Sequence, residues 1–139
     1  MYKNGSLWIP KERVILVLAI VVLAVGVGAL NHVGRVYDLF EADLIGYDKI
    51  VHFTAGMLCG VFGIWLFHPT GMTHEKKGAI VFAFIVSILI GVGWEFFEVY
   101  RDRPDFSFLY WADTTIDVIA DVCGGISAAL CMHRMRTKQ

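Results

Sequence analysis

Seven side chains in this sequence have the types and spacing to do chemistry: Asp48, His52, Glu95, Glu98, Asp113, Asp117 and Asp121. Residues four apart share a helix face, so Asp48 and His52 form one pair, and Asp113, Asp117 and Asp121 form one stripe. Glu95 and Glu98, three apart, are neighbours on a third segment. Carboxylates with one imidazole are hard, oxygen-rich ligands that suit Mg²⁺, Ca²⁺ or Mn²⁺, and Zn²⁺ when the histidine takes part. The sequence predicts a divalent metal site at His52, Glu95, Glu98, Asp117 and Asp121, with Asp48 and Asp113 at the mouth of the pocket.

Each residue also has a plainer reading. Asp48 and Asp113 open apolar segments, where Asp is a good helix N-cap and suits the helix dipole. Glu98 can pair with Arg101 three residues on. Glu95, Asp117 and Asp121 can belong to a buried salt-bridge network with Lys49, Arg101 or Arg103. His68, His74 and His133 fall at the opposite boundary, where solvation is expected.

The segments that carry these residues are apolar. The chain has 139 residues, 57% hydrophobic and 18% charged, with a mean hydropathy of +0.62; a soluble domain carries about 25% charged residues. A bilayer core takes about 20 predominantly apolar residues as a helix, and four segments of a single domain over 1–139 qualify, at about 14–30, 49–67, 78–100 and 113–132. None alternates with period two, and open strands cannot span lipid. The expected fold is all-α, a polytopic bundle of four transmembrane helices. The first span is read as a permanent helix rather than a signal peptide, because no small-x-small cleavage site follows it.

Positive charge sets the expected orientation. Of the 12 Lys and Arg residues, Lys3, Lys11, Arg13, Lys76, Lys77, Arg134, Arg136 and Lys138 fall on one side. Arg35, Lys49, Arg101 and Arg103 fall on the other. Both termini are therefore expected inside, with Trp8 and Trp65 marking the inner boundary and Tyr47, Trp94, Tyr100, Tyr110 and Trp111 the outer one. In that topology six of the 13 acidic residues converge on the outer half of spans two, three and four. With a rise of about 1.5 Å per residue, Asp121 lies about 12 Å deeper than Asp113, level with Glu95. An unpaired ionised carboxylate in the membrane costs about 2.5–3.5 kcal/mol on insertion scales, which makes such residues functional-site candidates by default. Several together repel, so the group must take up protons or share a cation.

Cys59, Cys123 and Cys131 lie in apolar runs, and an odd number so placed argues against a disulfide framework. Gly56 with Gly60, and Gly124 with Ala128, are small-xxx-small pairs that fit close helix packing within one bundle or a homodimer seam. No nucleotide-binding loop, nucleophile motif or haem ligation pattern is present, and no cofactor beyond a metal ion is expected. The expected partners are membrane lipids, with no nucleic acid. A homo-oligomer or a partner membrane subunit remains open, and so does the question of whether the protein is an enzyme.

The stripe Asp113-x3-Asp117-x3-Asp121 has a partial echo in the CDP-alcohol phosphatidyltransferases, but their upstream Asp-Gly-x-x-Ala-Arg stretch is missing. A fuller match lies elsewhere. Tyr47-Asp48-Lys49-Ile50-Val51-His52-Phe53 resembles the Asp-Lys-x-x-His motif that opens a helix in VanZ-like membrane proteins. Trp94-Glu95-Phe96-Phe97-Glu98, Tyr110-Trp111-Ala112-Asp113-Thr114-Thr115-Ile116-Asp117, and Asp121 followed by Gly124 are similar to the related YjdF-like family. The resemblance spans residues 47 to 128, and Asp121 stands where VanZ-like proteins usually have Asn. It implies an integral membrane protein with acids and His52 grouped at one membrane face. VanZ is associated with resistance to the glycopeptide teicoplanin; the resemblance supplies no reaction.

The function expected from the residues is binding of a cation or lipid headgroup in an outward-facing acidic pocket, in a cell-envelope role at the cytoplasmic (inner) membrane of a prokaryote. The alternatives are a metal-dependent envelope enzyme acting on a lipid-phosphate substrate, and a proton or cation transporter or structural membrane subunit.

Overall fold

The computed structural model describes residues 11–42, 46–102 and 106–136. Lys3, Trp8, Arg103 and Lys138, used above for orientation and partners, lie outside the described residues. The described residues form α1 (Lys11–Val36), the single turn α2 (Leu39–Ala42), α3 (Tyr47–Phe67), α4 (Lys76–Asp102) and α5 (Phe108–Arg136), with no strand among them. The four long helices are each long and apolar enough to cross a membrane. Their outward surface is apolar, as lipid requires: Leu18, Val22 and Val25 of α1, Leu89 and Phe96 of α4 and Ile119 of α5 are all exposed.

Chain reversal between α3 and α4 follows from local chemistry. A 3₁₀ turn, His68–Thr70, has Pro69 in its first positions, where the missing N–H costs least. Gly71 then takes a left-handed φ of 77° and donates its N–H to the His68 carbonyl at 3.1 Å, a conformation that favours glycine. Behind the turn, Thr73 is fully buried and donates its hydroxyl to the Ile64 carbonyl at 3.3 Å. His68, expected to be solvated, is buried and pairs through Nε2 with Glu12 Oε2 at 3.1 Å. It thereby ties the start of α1 to the end of α3.

The central helix is α3, which packs on α1, α4 and α5. Lipid offers no hydrophobic force between helices, so close approach of small residues must supply the packing. The buried core accordingly contains Ala79, Ala83, Ala128 and Ala129 beside Leu16, Val61 and Ile64. Gly56 lies on the backbone of Asp121, Gly60 on Gly125, and Gly124 on the backbone at Phe53 and Met57. Gly56 and Gly60 of α3 and Gly124 of α5 thus all lie in the close contact between α3 and α5 of one chain.

Ser87 adds a polar tie between α4 and α3. It is fully buried and donates to the Gly56 carbonyl at 3.2 Å. Ser87→Ala is expected to lower unfolding stability in detergent by about 0.5–1.5 kcal/mol, the net value of one such bond. A thermal melt followed by circular dichroism checks it, and an unchanged melt would show that the bond contributes nothing.

Tyr47, at the start of α3, donates its hydroxyl to the Leu30 carbonyl of α1. Its ring meets Phe40 edge-on at 5.4 Å, so α2 and the end of α1 are held against the end of the bundle that carries the acids. The three cysteines are free, with Cys59 half-buried and Cys123 and Cys131 exposed.

Candidate functional site

The start of α3, the end of α4 and the first half of α5 meet at one end of the bundle and bring all seven of the sequence-selected residues to it. Lys49 is at the centre. Its Nζ lies 2.6 Å from Asp113 Oδ1, 2.6 Å from Asp117 Oδ1 and 3.4 Å from Asp48 Oδ2. One ammonium thus clasps the stripe of α5 to the start of α3. The sequence offered Lys49 as a salt-bridge partner and as the Lys of the Asp-Lys-x-x-His motif, and its position between Asp48 and the His52 turn was the available signal for a central place.

His52 sits one turn deeper and is buried. Its Nδ1 lies 3.2 Å from Asp121 Oδ2, while Nε2 lies 3.8 Å from Asp48 Oδ1 and 3.9 Å from Asp117 Oδ1. A proton on Nδ1 makes the Asp121 contact a hydrogen bond and leaves the Nε2 lone pair aimed between the other two carboxylates. Those Nε2 separations are too long for hydrogen bonds. One ligand atom from each of Asp48, His52 and Asp117 lies within 4.8 Å of the others.

Asp117 and Asp121 are almost wholly buried, at 3% and 4% exposure. Space for Asp121 comes from Gly91 of α4, where a Cβ would stand 2.6 Å from Asp121 Oδ2. That dependence was invisible in the sequence because it joins residues of two different helices. Glu95 is also buried, and its Oε1 has no hydrogen-bond partner among the described residues. Glu98 is partly exposed, and its Oε1 lies 3.8 Å from Arg101 on the next turn of α4. Glu95 and Glu98 therefore stand beside the group of Asp48, His52 and Asp117 rather than in it. Asp113 is the most open of these acids, with its side chain 50% exposed, while Asp48 at 33% is as open as Glu98 at 32%.

A cavity of about 670 Å³ adjoins the cluster. Its walls include Asp48, His52 and Cys59 of α3, Ile90, Trp94, Glu98 and Arg101 of α4, and Asp121 of α5. The first span also lines it, through Val27, Asn31 and Arg35. The sequence placed the pocket between spans two, three and four; the contribution of α1 went unread because the apolar run at 14–30 holds no acid and Asn31 and Arg35 fall beyond its end. None of the residues 106–111 lines the cavity, so the aromatic stretch that leads into α5 and forms its first turn is not its wall.

The model of the family described as "Predicted membrane protein (DUF2238)" matches residues 3–138 of the chain. The chain belongs to this family. A protein of Thermotoga maritima described as "Uncharacterized protein" is 28% identical over 108 residues, covering 75% of this chain and 56% of that relative. The chain therefore spans just over half the length of that relative. No solved structure matches. Together with the four apolar helices, membership in this family makes the chain an integral membrane protein.

Proposed function

We propose that this protein binds a divalent cation at Asp48, His52 and Asp117, at the bundle end that faces out of the cytoplasm, in a cell-envelope role. The observation that carries the reading is the convergence of one imidazole nitrogen and two carboxylate oxygens within 4.8 Å. Metal bonds of about 2.0–2.2 Å to nitrogen and oxygen leave two ligands of one ion about 3–4 Å apart, and the Nε2 separations of 3.8 and 3.9 Å fall in that interval. Asp121 on Nδ1 is the outer carboxylate that commonly fixes the tautomer of a metal-bound histidine. Oxygen donors with one nitrogen suit Mn²⁺ or Zn²⁺, and Mg²⁺ or Ca²⁺ through the carboxylates.

The proposed orientation follows the excess of Lys and Arg at the opposite end, and the proposed location is the inner membrane of a prokaryote. The motif around Asp48 supports VanZ-like, and those around Glu95 and Asp117 the related YjdF-like, as finer names. A second reading, a metal-dependent envelope enzyme, is favoured by the cavity beside the ion position, since catalytic ions keep an open coordination site for water or substrate.

The test is metal content by mass spectrometry on the full chain purified in detergent. About one ion per chain is expected, lost in Asp117→Asn and in His52→Gln. Asp121→Asn is expected to keep the ion with affinity about 10–100-fold weaker, as for an outer partner of a ligand. Ion content that is absent throughout, or equal in all four proteins while each remains folded by circular dichroism, contradicts the proposal.

A further inference from the structure

The cavity has a gradient along its length. At the end near the mouth it is walled by Arg35, Asp48, Glu98 and Arg101; at mid-depth by Asn31, His52 and Asp121, the last lying against Gly91; and at the far end by Val27, Cys59 and Ile90. Arg35 and Val27 are eight residues apart on α1, and Arg101 and Ile90 eleven apart on α4. At about 1.5 Å per residue these separations are about 12 and 16 Å along the helices. The C-terminal ends of α1 and α4 lie at the same end of the bundle as the start of α3, so the polar walls are level with one another and the apolar walls lie below them. A void polar at one end and apolar at the other is complementary to an amphiphile. From the sequence alone, Arg35 enters only the positive-charge count.

We propose that the cavity holds an amphiphile bearing a phosphate group, with the phosphate between Arg35 and Arg101 and an alkyl chain running down between Val27 and Ile90. Arginine is the side chain best matched to phosphate, through its planar fork of donors. Arg35 reaches the cavity from α1 and Arg101 from α4, so the two cations approach from different helices. The proposal rests on the cation reading for its charge balance. An ion on Asp48, His52 and Asp117 would offset carboxylates that otherwise repel a phosphate, and two of those ligands, Asp48 and His52, also line the cavity. The volume of about 670 Å³ lies within the range of small-molecule pockets, about 300–1,000 Å³.

The probe is radiolabelled dodecyl phosphate, titrated onto the full chain in a neutral maltoside detergent, with metal content measured on the same samples. Saturable binding is expected, weakened at least tenfold by Arg35→Gln and at least tenfold by Val27→Trp, which fills the deep end from a helix holding none of the ion ligands. Metal content should be unchanged in both variants. Inorganic phosphate in hundredfold excess should compete poorly; equal competition would make this a free-phosphate site and overturn the amphiphile. Saturable binding of dodecyl trimethylammonium in place of dodecyl phosphate would also overturn the proposal. Metal without dodecyl phosphate binding overturns this proposal alone. Arg35-dependent binding without metal keeps the amphiphile, with the Lys49 ammonium on Asp48, Asp113 and Asp117 supplying the charge balance, and overturns the cation reading; absence of both overturns the two together.

Discussion

Gly124→Val is expected to abolish folded protein or to lower its stability by about 3 kcal/mol or more. A Cβ at Gly124 would overlap the Phe53 carbonyl and the Met57 amide of α3. These are backbone atoms inside a helix and cannot swing aside as a side chain can. The closest pair in the bundle, α3 and α5, would have to separate, and insertion into a packed core costs about 1–3 kcal/mol even where side chains alone must shift. Separation would also break the Lys49 clasp, since its two shortest contacts cross from α3 to α5. Gly28→Ala is the matching control. Nothing lies within 4 Å of a Cβ there, and alanine is the better helix former by about 1 kcal/mol, so stability should hold or rise slightly. Thermal unfolding and size-exclusion chromatography in detergent report both. A Gly124→Val protein as stable as the parent would mean that α3 and α5 do not approach this closely.

Lys49→Met is expected to be the most damaging single change at the polar end, by about 3–5 kcal/mol, the range for removing one partner of a buried ion pair. The Lys49 side chain is 13% exposed and that of Asp117 is 4% exposed, so water does not replace the lost ammonium. Two outcomes identify the cause. Combining Lys49→Met with Asp117→Asn should recover a large part of the loss, because the amide carries no charge to strand. Added Mn²⁺ or Ca²⁺ should also raise the melting temperature of Lys49→Met more than that of the parent, since the ion no longer shares Asp117 Oδ1 with an ammonium. A Lys49→Met protein with parental stability and no ion dependence would contradict the pairing.

The helical class was legible because hydropathy reports lipid contact directly, and in four segments it persists over a membrane's thickness. Chain ends of helices were less legible: α4 and α5 run to Asp102 and Arg136, past the end of each apolar run, because polar residues continue a helix into the headgroup region. At the site, spacing within one helix was readable, as for Asp48 with His52. Contacts between helices were not. Whether Lys49 meets Asp113 or Glu98 depends on the rotation of α3 against α4 and α5, which is fixed by Gly56, Gly60 and Gly124 and their close approaches. For the same reason the sequence grouped Glu95 with the ligands, whereas it stands to one side, and assigned Asp48 to the mouth although it is also within reach of His52. Arg35 was hidden because the apolar run of the first span ends near residue 30, whereas α1 continues to Val36.

The central claim is that His52 and two carboxylates hold one ion, and the most direct measurement is electron spin echo envelope modulation of Mn²⁺ bound to the full chain in detergent. The account predicts modulation from a directly coordinated imidazole nitrogen, absent in His52→Gln and retained in His68→Gln. Mn²⁺ bound with no nitrogen coupling, or with a coupling that survives in His52→Gln, would contradict it.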